Sequence, residues 1–213
     1  MKLYARRTSS NSQKVLWFLG ELELGYEFIA TGGDAGGLDE PEYIGINPNA
    51  AVPTLVDDGL SIWESHAILR YLAAARAPDR FWPSDPAERS LIDRWMDWSQ
   101  SQFDVSFMTL FWGHWRTPEA DRKVKVNQFH ADRCRRYLEI LDGQLGDHEY
   151  VIGDRLSLAD VPIGALMFRY ANLDATEELP PNVNRWYTTL TGRAAYQAHI
   201  MMPFQDLKGR LAH

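Results

Sequence analysis

The spacing of apolar residues changes character once along the chain. Before residue 77, short strand-like runs take turns with helical spacing; after residue 86 the spacing is helical almost throughout. Lys2–Ala5 is a strand candidate, and Val15, Leu16, Phe18, Leu19 and Leu22 then recur at a helical period. Glu27–Ala30 reads as a second strand, followed by the flexible loop Gly32-Gly33-Asp34-Ala35-Gly36-Gly37. Thr54–Val56 and Leu60–Trp63 flank Asp57-Asp58-Gly59, a hairpin signal, and Ala67, Ile68, Tyr71 and Leu72 mark the helix that follows. This order (βαβ, a short element, then ββα) predicts a small mixed α/β domain over residues 1–77.

Three prolines, Pro78, Pro83 and Pro86, end the alternation, and residues 78–85 are expected to form a linker to an all-α helical bundle over 86–213. Asp85-Pro86-Ala87-Glu88 supplies a cap acid, a proline at the first helical position and a glutamate at the third. Thr117-Pro118-Glu119 repeats the cap-then-proline signal, and Phe129, Tyr137, Leu138, Leu141 and Leu145 are expected to share one stripe. Ser157-Leu158-Ala159-Asp160 reads as a capping box, with Leu156 and Val161 as its hydrophobic staple and a slight kink expected at Pro162. Trp186, Tyr187 and Leu190 mark a shorter helix.

Composition narrows the function more than the fold. A formal charge of −7 over 213 residues argues against nucleic acid as the main partner, because phosphates need a basic face. Met1-Lys2-Leu3-Tyr4 gives no apolar leader and no run suits a bilayer, so a soluble, cytoplasmic protein without a membrane partner is expected. A single cysteine, Cys134, excludes an internal disulfide or a Cys-x-x-Cys redox pair, and its place on an apolar stripe predicts an inert core thiol. The six histidines show no pair at ligand spacing, so no metal site is expected; no Gly-x-Ser-x-Gly or phosphate-binding glycine motif occurs. Eight tryptophans are many for this length, and five fall between residues 82 and 115, which suits a helical core or an aromatic-lined pocket.

Two segments carry candidate chemistry. Thr8-Ser9-Ser10-Asn11-Ser12 lies between the first strand and the first helix, and it has more hydroxyl and amide side chains than one helix cap requires. No base stands nearby to make a nucleophile of these serines; beside a helix N-terminus they suit a ligand's negative charge. The second segment is Asn47-Pro48-Asn49-Ala50-Ala51-Val52-Pro53-Thr54-Leu55, followed by Trp63-Glu64-Ser65-His66-Ala67. A cis bond at Pro53 would turn the Val52 backbone outward to pair with an extended peptide. Glu64 and Ser65 place a carboxylate beside free helix amides, a combination suited to an amino-acid head group.

With these segments in view, the chain resembles the cytosolic-type bacterial glutathione S-transferases. Asn47–Leu55 is similar to the family's N-P-x-x-x-V-P-x-L segment and Glu64–Leu72 to its E-S-x-A-I-L-x-Y-L helix. Ser157–Asp160, following Gly153-Asp154, resembles its capping box. The resemblance implies a thioredoxin-like N-terminal domain, an all-helical C-terminal domain and a homodimer. It implies glutathione as co-substrate, with Val52 (before Pro53) on the cysteinyl backbone and Glu64 and Ser65 on the γ-glutamyl group. Ser9 and Ser10 are then the leading candidates to activate the thiol, Asn11 the next, and Ser12 the helix cap. Phe107, Phe111, Trp112 and Trp115 are the expected apolar substrate surface. Two departures stand out: Ala51 and Leu38 replace the residues that hold the glycyl carboxylate in the family, which leaves Arg6 or Arg7 as substitutes. The expected function is glutathione transfer to an apolar electrophile or glutathione-dependent peroxide or disulfide reduction; the alternative is a non-catalytic ligand carrier or interaction module.

Overall fold

Leu3 and Ala5 project from one face of the first strand and both are fully buried, whereas Tyr4 points the other way onto Tyr43. The computed structural model, which describes residues 1–211, places this strand inside the sheet. The spatial order is β2 (Glu27–Ala30), β1 (Lys2–Ala5), β3 (Thr54–Asp57), β4 (Leu60–Trp63). β1 runs parallel to β2, pairing Leu3 with Phe28, and antiparallel to β3, pairing Leu3 with Leu55. Helices α1 (Ser10–Glu21) and α3 (Ser65–Arg76) pack against each other, and the short α2 (Pro41–Ile46) supplies Tyr43.

Residues 86–116 run as one helical rod. It comprises α4 (Pro86–Trp98), a π-helical turn (Ser99–Asp104), α5 (Val105–Leu110) and a second π turn (Phe111–Arg116). The Asp85 side chain accepts from the Ala87 and Glu88 amides, the cap that the sequence predicts. Thr117-Pro118 does not open the next helix. The Thr117 hydroxyl instead donates to the Trp112 carbonyl and closes the π turn, and α6 begins at Val124 and runs to Leu145. Phe129 is 55 % exposed, contrary to the expected stripe. Eight residues before Tyr137, it lies about 80° around the helix from it, while Cys134, Leu138, Leu141 and Leu145 face the core.

Helices α7 (Val161–Ala171), α8 (Pro181–Thr191) and α9 (Ala194–His199) complete the bundle. Pro162 produces no mid-helix kink, because α7 starts only at Val161 and an amide in the first turn would have no partner anyway. The Ser157–Asp160 segment is a closed turn just ahead of that helix. Asp160, fully buried, accepts from the Val151 amide (2.9 Å), the Ser157 amide (2.9 Å), the Ser157 hydroxyl (3.0 Å) and the Trp186 indole (2.9 Å). Burial pushes its carboxyl above the usual range against the pull of these donors. No helix among the described residues is long and apolar enough to cross a membrane.

The two halves share α1. Residues Ser12–Leu19 are all buried, with α3 on one side and α7 and α9 on the other. Glycines allow this approach: a Cβ at Gly164 of α7 would lie 3.0 Å from the Trp17 ring, and one at Gly20 would lie 2.9 Å from the Ala195 Cβ. The contact is polar as well, since the Trp17 indole donates to Glu21, which also receives the Arg193 guanidinium.

Two expected outcomes follow from buried groups. Asp160→Ala strands four donors and should lower stability by about 3 kcal/mol or more, read from the denaturant midpoint; a cost under about 1 kcal/mol would show that the turn holds without the carboxylate. His66 is buried, neither ring nitrogen has a partner, and burial holds its pKa down at about 3. The unfolded chain therefore takes up a proton near pH 6.5 that the folded chain refuses, so stability should fall as pH drops from about 6.5 toward 3. His66→Leu should flatten that slope in denaturation curves recorded across the range.

Candidate active site

The turn that joins β1 to α1 is built by local bonds. The Ser9 amide donates to the Arg6 carbonyl (3.0 Å), and the Ser9 hydroxyl accepts from the Ser12 amide (3.4 Å). Ser9 is therefore the helix cap. Ser12, expected in that role, lies within the first turn, where its buried hydroxyl accepts from the Arg6 amide (3.4 Å). Ser10 opens the helix and is nearly buried, while Asn11 is exposed. The Asn11 side-chain oxygen accepts from Lys14 Nζ (3.0 Å) and from the Ser65 hydroxyl (3.4 Å), which joins the two segments singled out in the sequence.

Lys14 was not singled out by the sequence, although a lysine beside the apolar run Val15–Leu19 is a visible oddity. It is buried, and its ammonium reaches Asp104 at 2.6 Å across the domain boundary. A buried charge of this kind needs its partner. The Arg169 guanidinium of α7 donates from the other side to the Thr8 carbonyl (2.7 Å) and to Gln13 Oε1 (3.0 Å). The helical domain thus holds the turn at two points.

The Val52–Pro53 bond is cis, as the sequence predicts. Val52 makes no backbone hydrogen bond among the described residues. Its neighbours are fixed instead: the Ala51 carbonyl accepts from Tyr43 Oη (2.7 Å) and from Asn47 Nδ2 (2.8 Å), and Asn47 also donates to Thr54 Oγ1 (2.9 Å). Glu64 is exposed, and its backbone sits at φ +70°, an uncommon conformation for a residue with a side chain. It directly precedes α3, and Ser65 begins that helix from a buried position.

Between the turn and the helical domain lies a cavity of about 270 Å³. Ser9, Ser10 and Asn11 line one side, and Phe111 and Trp112 of the second π turn line the other. The expected aromatic surface is otherwise corrected. Phe107 is fully buried and stacked on Phe103, and Trp115 is buried with its indole donating to the Phe204 carbonyl (3.2 Å). Positions four apart share one helix face, and on this rod that face packs into the core, so most of the stripe is taken up by burial. The same cavity is lined by Arg6, Arg116, Arg169 and Arg210, so it is far from the purely apolar site expected. Of those, only Arg6 figured in the sequence analysis; Arg169, inside the apolar run of α7, was the clearest missed signal. Arg7 instead covers the Phe28 ring at 4.4 Å. Leu38 packs toward Gly32, and Ala51 offers no cation.

Cys134 is buried, and burial pushes its thiol up to about 12. It is far too weakly ionised to act as a nucleophile. No group of metal-ligating side chains occurs among the described residues.

Comparison with known proteins agrees with this architecture. Residues 1–74 match the glutathione S-transferase N-terminal domain and residues 103–194 the glutathione S-transferase C-terminal domain. Glutathione S-transferase GstB of Escherichia coli K12 is 35 % identical over 203 residues, covering 94 % of this chain and 98 % of its own. The theta class glutathione S-transferase of Xanthomonas axonopodis pv. citri, solved with glutathione bound, superposes with a TM-score of 0.87 at 41 % identity, covering 95 % of this chain and 97 % of its own. The Bombyx mori glutathione transferase BmGSTD1 superposes with a TM-score of 0.80 at 25 % identity, covering 94 % and 92 %. Fold, paired segments and relatives converge: the chain belongs to the glutathione S-transferase family, enzymes whose co-substrate is glutathione.

Proposed function

We propose that this enzyme conjugates glutathione to a small electrophile, and that Ser9 activates the thiol. The observation that carries the reading is the polar turn at the N-terminus of α1, which opens onto a cavity whose far wall comes from the helical domain. Such a cavity holds two reactants side by side. Glutathione would lie along the N-terminal domain. Its cysteinyl backbone would pair with the free N–H and C=O of Val52, beside Pro53, and its γ-glutamyl ammonium and carboxylate would meet Glu64 and the Ser65 end of α3. A non-catalytic carrier is disfavoured, because a carrier has no use for unspent hydroxyls facing the cavity. The family resemblance supports a cytoplasmic homodimer.

Ser9 is preferred over its neighbours on hydrogen-bond economy. Its oxygen already accepts a weak bond from the Ser12 amide, so its proton is free to donate to a thiolate. Lys14 and Ser65 hold the Asn11 oxygen and leave its Nδ2 as the competing donor on an exposed side chain, while Ser10 is buried. The magnitudes are sufficient. A free thiol with pKa about 8.5 is only about 3 % ionised at pH 7, and lowering that value by two units takes about 2.7 kcal/mol. One hydrogen bond to a charged group contributes about 1.5–3 kcal/mol and the helix dipole about 0.3–1 kcal/mol. No general base is required; the thiol proton leaves to solvent and the thiolate attacks the electrophile.

Thiolate absorbance of the glutathione complex against pH tests this assignment. Ser9→Ala should raise the bound thiol's pKa by about one to two units while glutathione affinity changes less. Ser10→Ala or Asn11→Ala should produce the smaller shift; a shift confined to Asn11→Ala would transfer the role to the amide. Cys134→Ala should leave turnover within about twofold and cost only the stability of a small core deletion. Loss of activity in a folded Cys134→Ala protein would mean that the thiol takes part.

A further inference from the structure

Four guanidinium groups converge on the cavity from four parts of the chain. Arg6 comes from the end of β1, Arg116 from the second π turn, Arg169 from α7 and Arg210 from the C-terminal segment. The two carboxylates that also line it, Asp34 and Asp206, are exposed. Arg6, Arg169 and Arg210 make no ion pair within 4.0 Å among the described residues. Arg169 is buried, and its described hydrogen-bond acceptors, the Thr8 carbonyl and the Gln13 amide oxygen, are both neutral. Arg6 has a buried Nε with no partner, and its stem lies flush against the glycine loop, where a Cβ on Gly33 would come within 2.9 Å of Arg6 Cδ.

Like charges held this close oppose one another. Burial and then the charges of Arg6 and Arg116 hold the Arg169 pKa down at about 10, and burial with Arg6 and Arg210 lowers that of Arg116. A neutral apolar ligand would leave that repulsion in place and would cover charged groups without pairing them. An anion relieves both penalties.

We propose that the cavity is an anion-receiving electrophile subsite: the second substrate carries a carboxylate or comparable oxyanion that sits on Arg6 and Arg169, with its ring or chain against Phe111 and Trp112. The inference rests on the transferase reading above. The anion is assigned to the electrophile rather than to glutathione because Val52, Glu64 and Ser65 all lie outside the cavity lining, whereas Phe111, Trp112 and Arg169 of the helical domain form it.

A matched pair of activated aryl chlorides tests the assignment on the intact enzyme. With 4-chloro-3-nitrobenzoate, the thiolate sulfur bonds to the carbon bearing chlorine, chloride departs with the C–Cl electron pair, and the thiol proton goes to solvent. Nothing is oxidised or reduced beyond the substitution itself. 4-Chloro-3-nitrobenzamide undergoes the same reaction without the charge. Each kcat/KM is divided by the uncatalysed rate with glutathione, which removes the difference in intrinsic reactivity. The enzyme should favour the benzoate by about tenfold or more, the factor one charge-assisted contact supplies, and added salt should shrink the ratio. In Arg6→Gln the ratio should fall toward one, and Arg6→Lys should retain part of it. Equal normalised rates for the two chlorides in the unmodified enzyme would overturn the inference and leave the transferase reading standing. An Arg6→Gln variant that raises KM for glutathione while keeping the benzoate preference would assign the arginine to glutathione and overturn it too. Absence of catalysed conjugation with either chloride would overturn the transferase reading together with this one.

Discussion

Helix α1 lies against its own domain through α3 and against the helical domain through α7 and α9, so it has no face left for solvent between Ser12 and Leu19. That constraint orders much of the rest. A helix closed on both sides must approach its neighbours at backbone distance, and small residues at Gly20, Gly164 and Ala195 allow it. Its long polar side chains find partners inside the protein: Lys14 with Asp104, Gln13 with Arg169, Glu21 with Trp17 and Arg193. The same closure leaves the N-terminal end of α1 as the part that meets a cavity. The β1–α1 turn, proposed above to activate the thiol, is therefore held by both domains at once.

Much of this was legible in the chain. The strands and the cap at Asp85 follow from local periodicity and proline placement, because those signals are carried by neighbouring residues. The Pro53 segment was readable for the same reason, and Asn47 and Tyr43 turn out to brace it. Signals failed where a long-range contact decides the outcome. The cap passed from Ser12 to Ser9 because the helix begins three residues earlier than the last hydroxyl suggests. Thr117 looked like a cap but closes the turn before it. Trp115 and Phe107 looked like a binding surface, yet the packing of a rod with two π turns sends them into the core.

The cavity's charge illustrates the limit most sharply. Arg6, Arg116, Arg169 and Arg210 are spread over almost the whole chain, and no spacing rule connects them. In sequence each reads as one basic residue in an acidic protein of net charge −7. Only the fold gathers them, so the overall charge of the chain has the opposite sign to that of this cavity.

The C-terminal segment completes the cavity wall with Asp206, Leu207 and Arg210, and its attachment is uneven. Phe204 is buried edge-on against Phe111, Trp115 and Phe168 and acts as an anchor. Beyond it the described chain is mostly exposed, and its backbone is tied to the helical rod through the Gly209 amide on the Trp115 carbonyl and the Arg210 carbonyl on the Arg116 guanidinium. The Lys208 ammonium also lies over the Trp115 ring at 4.8 Å. The cavity is therefore bounded by helices locked around α1 on one side and, on the other, by the chain's own C-terminal segment anchored at Phe204.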